Sequence, residues 1–594
     1  MRKPEPNLTG ILLLAVVATA VFTSCSKKMI STGISKASHD STKSQTPIVV
    51  SHPLLIDTAS TDIQKLVEPS IVDPYFNSSV KEKVVRFYRL NAFNTKWLYD
   101  NSPSALYYAA FDAMKNAAAY GLDPEDYDVD GMAAKLRTVY QPENGIQNNN
   151  KVITDLDLHF SEMFFLFTTH LAEGRIRSAA NGKNVWKRTI KEYSSADVNL
   201  VLTAAIPDQL IDAIIAIQPH GEQYVRLQSA LAYYRQLESQ SPANLPAISV
   251  KAGIKPGERN AAIPLIRKKM SLADMKVYAM PFDSVSGVAD SLSYDPALVE
   301  GVKSFQSRHG LQSDGVIGEK TLRFMNQSFR DKAEVIALNM ERMRWLPDNH
   351  GVANYISINV PEYKLRVFDD QKQTLEMKVI VGASNKPTPI FADELEHIVF
   401  SPTWTVPTSI IKEEIIPNLR KDSLYYSKKN FLFFKNDEEI DPIAEYWSDS
   451  NINPYQYRVI QNPGTDNSLG SVKFMMPNNM SVYLHDTPNH KLFAKDYRAL
   501  SHGCVRLDEP AKFAEYLLRD QKGWTPERIV KAMNETTPST IHLKKHYQVF
   551  IEYCTAWVDD NGVINFREDI YGHDKAQLKQ LKPARIAATA SIGN

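Results

Sequence analysis

The run Ser501-His502-Gly503-Cys504-Val505-Arg506-Leu507 sets a cysteine between polar and glycine residues, a setting for a reactive thiol rather than a structural one. A thiol attacks carbonyls as thiolate, and with an ordinary pKa of about 8.5 it is mostly protonated at neutral pH. A neighbouring imidazole must therefore take its proton and return it to the leaving group. Ser481-Val482-Tyr483-Leu484-His485 alternates, so Val482 and Leu484 face one way while Ser481, Tyr483 and His485 face the other. His485 thus ends a strand on its polar face, and a loop containing Pro488 leads on to Ser501. Gly503 allows a tight turn in which its own N–H and that of Cys504 could point at a developing oxyanion. The chemistry implied is acyl transfer through a thioester on Cys504. Taken singly, His485 reads as an interior histidine and Cys504 as a packed thiol; their joint spacing with Gly503 favours the pair. Asp486 could orient His485 through its carbonyl or its carboxylate, and the spacing leaves both open. Tyr483 and Arg498 are further candidates for substrate contact, with exposed packing as the plain alternative.

These residues need strands to hold them. Beyond Trp345-Leu346-Pro347 the apolar period is two: Ile356, Ile358 and Val360, then Tyr363, Leu365 and Val367, then Leu375, Met377, Val379 and Val381. Short successive strands with turns between them predict a β-sandwich or barrel. The stretch 408–455 interrupts the pattern with helical, charged and aromatic residues, and is expected to be an insertion covering the site. Upstream, 69–254 reads as helical: Leu156, Phe160, Met163, Phe164, Phe167 and Leu171 recur at three- and four-residue intervals before Gly174. A compact unit at 255–328 has a helix opened by Pro296, with Leu298, Val302 and Phe305 on one face, then a turn at Asp314-Gly315-Val316-Ile317-Gly318 and a second helix from Glu319. Residues 329–350 read as a connecting helix and 574–594 as a tail.

With 594 residues the chain is too long for one core. Its 68 basic residues balance 68 acidic ones, so no global field draws it to nucleic acid or an anionic membrane. Arg2 and Lys3 precede an apolar run over 11–22 that is short for a membrane span, followed by Thr23-Ser24-Cys25. This reads as an export signal over 1–25, with an uncleaved anchor as the plain alternative; both place the rest outside the cytoplasm. The Ser-, Thr- and Lys-rich 26–68 reads as a flexible tether. Of the three cysteines, Cys554 lies in a strand-like run and is expected to be a small buried hydrophobe.

The stretch Val302-Lys303-Ser304-Phe305-Gln306, Gly310-Leu311, Asp314 to Gly318 and Thr321-Leu322 resembles the small three-helix peptidoglycan-binding domain. His485-Asp486 followed by Ser501-His502-Gly503-Cys504-Val505-Arg506 resembles the signature of the L,D-transpeptidases. Glu341-Arg342-Met343-Arg344-Trp345-Leu346-Pro347, Pro463-Gly464, Asn467-Ser468-Leu469-Gly470, Val472-Lys473-Phe474 and Asp569-Ile570-Tyr571-Gly572 are similar to the large multidomain branch of that family. The thiol-ended start resembles a bacterial lipoprotein signal, with Cys25 lipidated. The resemblance implies an α+β multidomain chain: signal 1–25, linker 26–68, helical scaffold domain 69–254, peptidoglycan-binding domain 255–328, connecting helix 329–350, and a β-sandwich catalytic domain 351–573 with a helical lid at 408–455. It implies Cys504 as nucleophile, His485 as base, the Asp486 carbonyl as its orienting group, His502 and Ser501 shaping the pocket, and Arg506 on a substrate carboxylate. Its implied reaction takes peptidoglycan tetrapeptide stems as donor and acceptor, releases D-Ala and makes a 3–3 cross-link, with no cofactor, no metal and no nucleic acid. A periplasmic monomer tethered by lipid is the expectation. Rival readings are an L,D-carboxypeptidase or protein-tethering enzyme using the same thioester, a metal hydrolase using His485, Asp486, His490, His502 and Cys504, and a non-enzymatic wall-binding protein.

Overall fold

The computed structural model describes Ile63 and residues 78–581, apart from 100–101, 141–149, 177–185, 187–194, 241–244, 275–289, 346–351, 427–428, 448 and 450. The export signal with Cys25 lies outside the described residues, as does the tether except for Ile63. Ile63 departs from the tether reading: it is buried in the core of the helical region.

That region is organised by helix Asn150–Glu173, whose three-and-four apolar spacing becomes one buried face: Leu156, Phe160, Met163, Phe164, Phe167 and Leu171 are all in its core. They pack on helix Ser78–Leu90 and on Trp97, whose ring stacks on Phe87 at 5.3 Å. Gly174 ends the long helix at φ +81, and a Cβ there would lie 2.5 Å from Glu341 Oε1, so only glycine fits. The small domain has the three expected helices, Ile263–Asp274, Pro296–Arg308 and Glu319–Met325. Leu298, Val302 and Phe305 are buried on one face, and Gln306 locks the glycine turn by accepting from Gly315 N at 2.8 Å and donating to Val316 O at 2.9 Å.

The strand-rich region contains β1 (Tyr355–Asn359), β2 (Lys364–Asp369), β3 (Lys372–Gly382), β4 (Phe391–Phe400), β5 (Trp404–Thr405), β6 (Phe431–Lys435), β7 (Glu438–Ile440), β8 (Tyr457–Gln461), β9 (Val472–Met475), β10 (Leu484–His485), β11 (Ala499–Ser501), β12 (Val505–Leu507), β13 (Ser539–Glu552), β14 (Ala556–Val558) and β15 (Ile564–Phe566). Nine of these form a sheet in the order β11-β3-β12-β10-β9-β4-β13-β1-β2, and β2 pairs back with β3, so the sheet closes on itself as a flattened barrel, the sandwich expected from the alternation. Its interior holds Ile356, Ile358, Leu365, Val367, Val379 and Val381 and is plugged by Phe513 and Leu517 of helix Pro510–Leu518.

The insertion is larger and more mixed than its composition indicated. Residues 404–461 carry a four-stranded sheet, β5-β8-β6-β7, beside a helical stretch at 408–421, all around a core of their own. The run Phe431-Leu432-Phe433-Phe434 is continuously apolar, and period alone cannot tell such a run from a buried helix. Ile411–Ile415 is a π turn. Pro417, which follows it, has no N–H to continue the α-helical bonding, which accounts for the widened turn.

Two boundaries differ from expectation. Helix Glu222–Gln240, read as part of the scaffold, buries Tyr224, Leu227, Leu231 and Tyr234 against helix Phe329–Met343 and the β14–β15 hairpin. The expected tail opens with helix His573–Leu581, docked on the same connecting helix. The run from Glu341 to Trp345 explains both. Glu341 accepts from Ile176 N at 2.8 Å, and Arg344 donates to Tyr224 OH at 2.8 Å. Arg342 donates to Asp574 at 2.6 Å, Gln577 at 2.9 Å and Tyr553 O at 3.1 Å. Glu341, Arg342 and Arg344 are buried, so this hub ties the helical region, the sheet end and the last helix together. Removing one partner of a buried, hydrogen-bonded pair strands the other charge, so Arg342→Met is expected to lower stability by about 3–5 kcal/mol. Urea unfolding checks this; a loss below about 1 kcal/mol is what a solvated pair would give.

Candidate active site

His485 and Cys504 are brought together by one parallel pairing. β10 lies beside β12 with Leu484 opposite Val505 and His485 opposite Arg506, and Val505 N donates to Tyr483 O at 3.3 Å. Leu484 and Val505 are fully buried in the barrel interior. Alternation therefore puts Tyr483, His485, Cys504 and Arg506 together on the other face, with His485 and Cys504 as diagonal neighbours across adjacent strands. The Tyr483 and His485 rings lie 5.7 Å apart. The thiol donates to Ser481 O at 3.7 Å in this arrangement, and Ser481 is held at φ +56 to present that carbonyl.

The imidazole is oriented through its Nδ1, 2.6 Å from the Asp486 carbonyl oxygen. The question the spacing left open is thus answered by the backbone oxygen. The Asp486 carboxylate is engaged elsewhere, accepting from Ser471 N at 2.8 Å and Thr487 N at 2.7 Å and pairing with His490 at 3.1 Å. This anchors the peptide that carries the orienting carbonyl. Gly470, at φ +63, leaves room for it: a Cβ there would lie 2.4 Å from the Asp486 carboxylate. Gly470→Ala is expected to push Asp486 aside and slow acylation of Cys504 by an activated acyl probe by about 100-fold with the fold retained, since small misplacements near reacting groups cost that much. Stopped-flow acylation with circular dichroism as control checks it; an unchanged rate would show that the Asp486 position is immaterial.

Burial, reinforced by the Arg506 charge and opposed by the Asp486 and Leu469 backbone, pushes the His485 imidazolium down to about 3. The ring is therefore neutral at physiological pH. Burial pushes the Cys504 thiol up, against the lowering effects of Tyr483 and Arg506. The resting pair is a neutral thiol and a neutral imidazole, the state from which a general base can act.

The glycine turn is closed from both sides. Ser501 Oγ donates to Cys504 O at 2.5 Å and accepts from Gly503 N at 3.2 Å. Thr388 Oγ1 donates to Gly503 O at 2.8 Å and accepts from Gly382 N at 2.8 Å. Tyr571 OH donates to Gly382 O at 2.6 Å and accepts from Thr388 N at 3.2 Å, so Tyr571, some seventy residues on, braces the loop beneath Gly503.

Ser501 is buried and shapes the turn from within. The Gly503 N–H, expected at an oxyanion, is engaged by Ser501. His502 turns outward, where its Nε2 meets Glu414 of the insertion's π turn. Lys386 joins them, 2.8 Å from Glu413 and 3.6 Å from Glu414. Arg498 donates to the carbonyls of Val379, Lys495 and Tyr363, which makes it a brace of the loop before β11. Arg506 stays at the site. Glu413, Glu414, Lys386 and Thr388 carry no motif of their own; Tyr571 lies in the run Asp569-Ile570-Tyr571-Gly572, whose role only the fold shows. Among the described residues no group of three or more His, Cys, Asp and Glu side chains is placed to hold a metal ion, the five considered for a metal hydrolase included.

Residues 353–541 match the family model of the L,D-transpeptidase catalytic domain, 82–231 that of a scaffold domain, and 279–325 that described as "Putative peptidoglycan binding domain". A Haemophilus influenzae protein named "Putative L,D-transpeptidase" is 38% identical over 243 residues, 40% of this chain and 48% of that protein. The chain thus spans about half the length of the curated relative it matches. Among solved structures, an L,D-transpeptidase from Xylanimonas cellulosilytica is similar at 10% identity and a TM-score of 0.15, over 51% of this chain and 100% of that one. A fused amidase/peptidase/peptidoglycan-binding protein from Clostridium acetobutylicum stands at 12% and 0.14, over 50% and 99%. Likenesses that weak carry no argument. The domain matches do: the chain carries an L,D-transpeptidase catalytic domain of the YkuD type over 353–541, together with regions that match a scaffold domain and a peptidoglycan-binding domain.

Proposed function

We propose that the chain cross-links peptidoglycan through a thioester on Cys504. The observation that carries this is the array of Tyr483, His485, Cys504 and Arg506 on one face of two paired strands, with a neutral His485 held by the Asp486 carbonyl. A turn about the Cys504 Cα–Cβ bond frees the thiol from Ser481 O and directs it at His485. Sγ then attacks the carbonyl of the third stem residue as His485 takes its proton. The C–S bond forms, the C–N bond to D-Ala breaks, and His485 gives the proton to the departing amine. The side-chain amine of a second stem attacks the thioester; its proton passes through His485 back to the thiolate, leaving a 3–3 amide. The energy of the old amide is kept in the thioester, so no nucleotide is consumed. Cys504 N–H is the proposed oxyanion donor, with Gly503 N–H joining if it leaves Ser501. Arg506 binds a substrate carboxylate.

Glu413 and Glu414 on the insertion meet Lys386 and His502 beside Cys504, so the insertion is proposed as a lid that limits water and favours the amine. The substrate lies outside the cytoplasm. We place the protein in the periplasm, as a monomer tethered by lipid on Cys25; among the described residues no helix is long and apolar enough to cross a membrane. Incubating the protein with disaccharide-tetrapeptide and resolving acyl-enzyme and products by mass spectrometry tests the reading. Dimer with released D-Ala supports it; tripeptide alone indicates an L,D-carboxypeptidase, and no acyl-enzyme with intact binding leaves a wall-binding protein.

A further inference from the structure

β9 carries an alternation whose outer face the mechanism above does not use. Val472 and Phe474 are fully buried in the barrel, so Lys473 points to the opposite side. β9 and β10 are antiparallel with His485 directly opposite Lys473, while on the other flank His485 is directly opposite Arg506. Directly paired residues share a face. The face around His485 therefore reads Lys473, His485, Arg506 across three strands, a neutral ring between two cations. The Lys473 ammonium lies 5.7 Å from the centre of the Tyr483 ring, which faces Cys504.

Neither cation has a counter-ion: among the described residues no carboxylate pairs with Lys473 or Arg506, and Arg506 Nε is buried without a partner. Other buried cations among the described residues have partners: Arg342 pairs with Asp574 at 2.6 Å, Arg344 with Glu341 at 3.1 Å and Arg366 with Glu362 at 2.7 Å, while Arg498 donates to three carbonyls. Burial also lowers the pKa of Lys473 and of Arg506, a mark of lost hydration. An anion arriving between these strands restores what desolvation removed.

Position separates the two. Arg506 follows Cys504 by two residues on one strand, roughly 7 Å along it, in reach of a carboxylate next to the scissile bond. Lys473 lies two strands from Cys504 and level with Arg506, roughly 12 Å away across the sheet. That is the reach of a carboxylate at the far end of an extended side chain on the residue whose carbonyl is attacked. We infer that Lys473 is a specificity-determining residue that binds this distal carboxylate, selecting stems whose third residue is a diamino diacid over those with a plain diamino acid or an amidated one. The inference rests on the proposed transpeptidase reading and adds to it a residue and a substrate feature.

The test measures D-Ala release by the full chain and by Lys473→Met and Lys473→Arg, with three tetrapeptide donors: third residue with a free distal carboxylate, the same residue amidated, and lysine. The wild type is expected to show a KM at least about tenfold lower for the free acid than for the other two. Lys473→Met raises KM on the free acid alone to their level with kcat within about twofold, and Lys473→Arg keeps most of the preference. A wild type with equal KM for all three, or a Lys473→Met whose loss is the same on each donor or falls on kcat, overturns the inference while leaving the transpeptidase reading intact. A wild type that releases no D-Ala from any donor overturns that reading and the role of Lys473 with it.

Discussion

Cys504→Ala is expected to release D-Ala from tetrapeptide stems at least about 10⁴-fold more slowly than the wild type and to show no acyl-enzyme by intact mass, because removing a nucleophile removes the covalent route itself. The thiol is poised by its surroundings: Ser501 and Thr388 close the turn beneath it, and β10 sets Tyr483 and His485 beside it. Alanine leaves these contacts in place, since they are made by backbone and neighbours rather than by Sγ. The thermal midpoint should therefore stay near that of the wild type, and binding of stems should survive. Retained D-Ala release with an unfolded fraction no larger than in the wild type would remove Cys504 from the mechanism. The other free thiol among the described residues offers no substitute: Cys554 is pushed well up by burial, as expected of a structural cysteine.

His485→Gln should cost about 10²–10⁴ in acylation rate, the range a positioned general base supplies. Its pH dependence is the sharper result. A base must be neutral to accept a proton, and the folded protein holds His485 neutral down to about 3 because burial and Arg506 oppose its charged form. Acylation is then expected to stay level from pH 5 to pH 8 and to fall only as the pH approaches 3. Two outcomes contradict this. A loss with a midpoint near the ordinary histidine value of about 6.5 would mean an imidazole exposed to water. A tenfold rise per pH unit across the whole range would mean that free thiolate reacts without His485. Arg506→Met removes the second cause of the shift and should move the acid limb upward, toward the ordinary value.

Local order along the chain was enough to read the face on which the strand residues of the centre stand. Alternation over Ser481 to His485 fixes the face on which His485 and Tyr483 stand, and the same two-residue period marks the barrel interior at Leu365, Val379 and Leu484. These are properties of covalent geometry, so nearest-neighbour sequence carries them. What surrounds the centre is another matter. Whether Asp486 used its carbonyl or its carboxylate depended on Ser471 and Thr487 holding the carboxylate away. The partners of Ser501, His502 and Arg498 are Gly503, Glu414 of the insertion and three carbonyls, none of them implied by spacing. Lys473 came opposite His485 only through the register of two strands, and the last helix was placed by one buried arginine. A side chain's face is set by its own residue's backbone, but its partner is chosen by groups that only tertiary packing brings within 3 or 4 Å, and at that range hydrogen bonds and desolvation decide what each residue does.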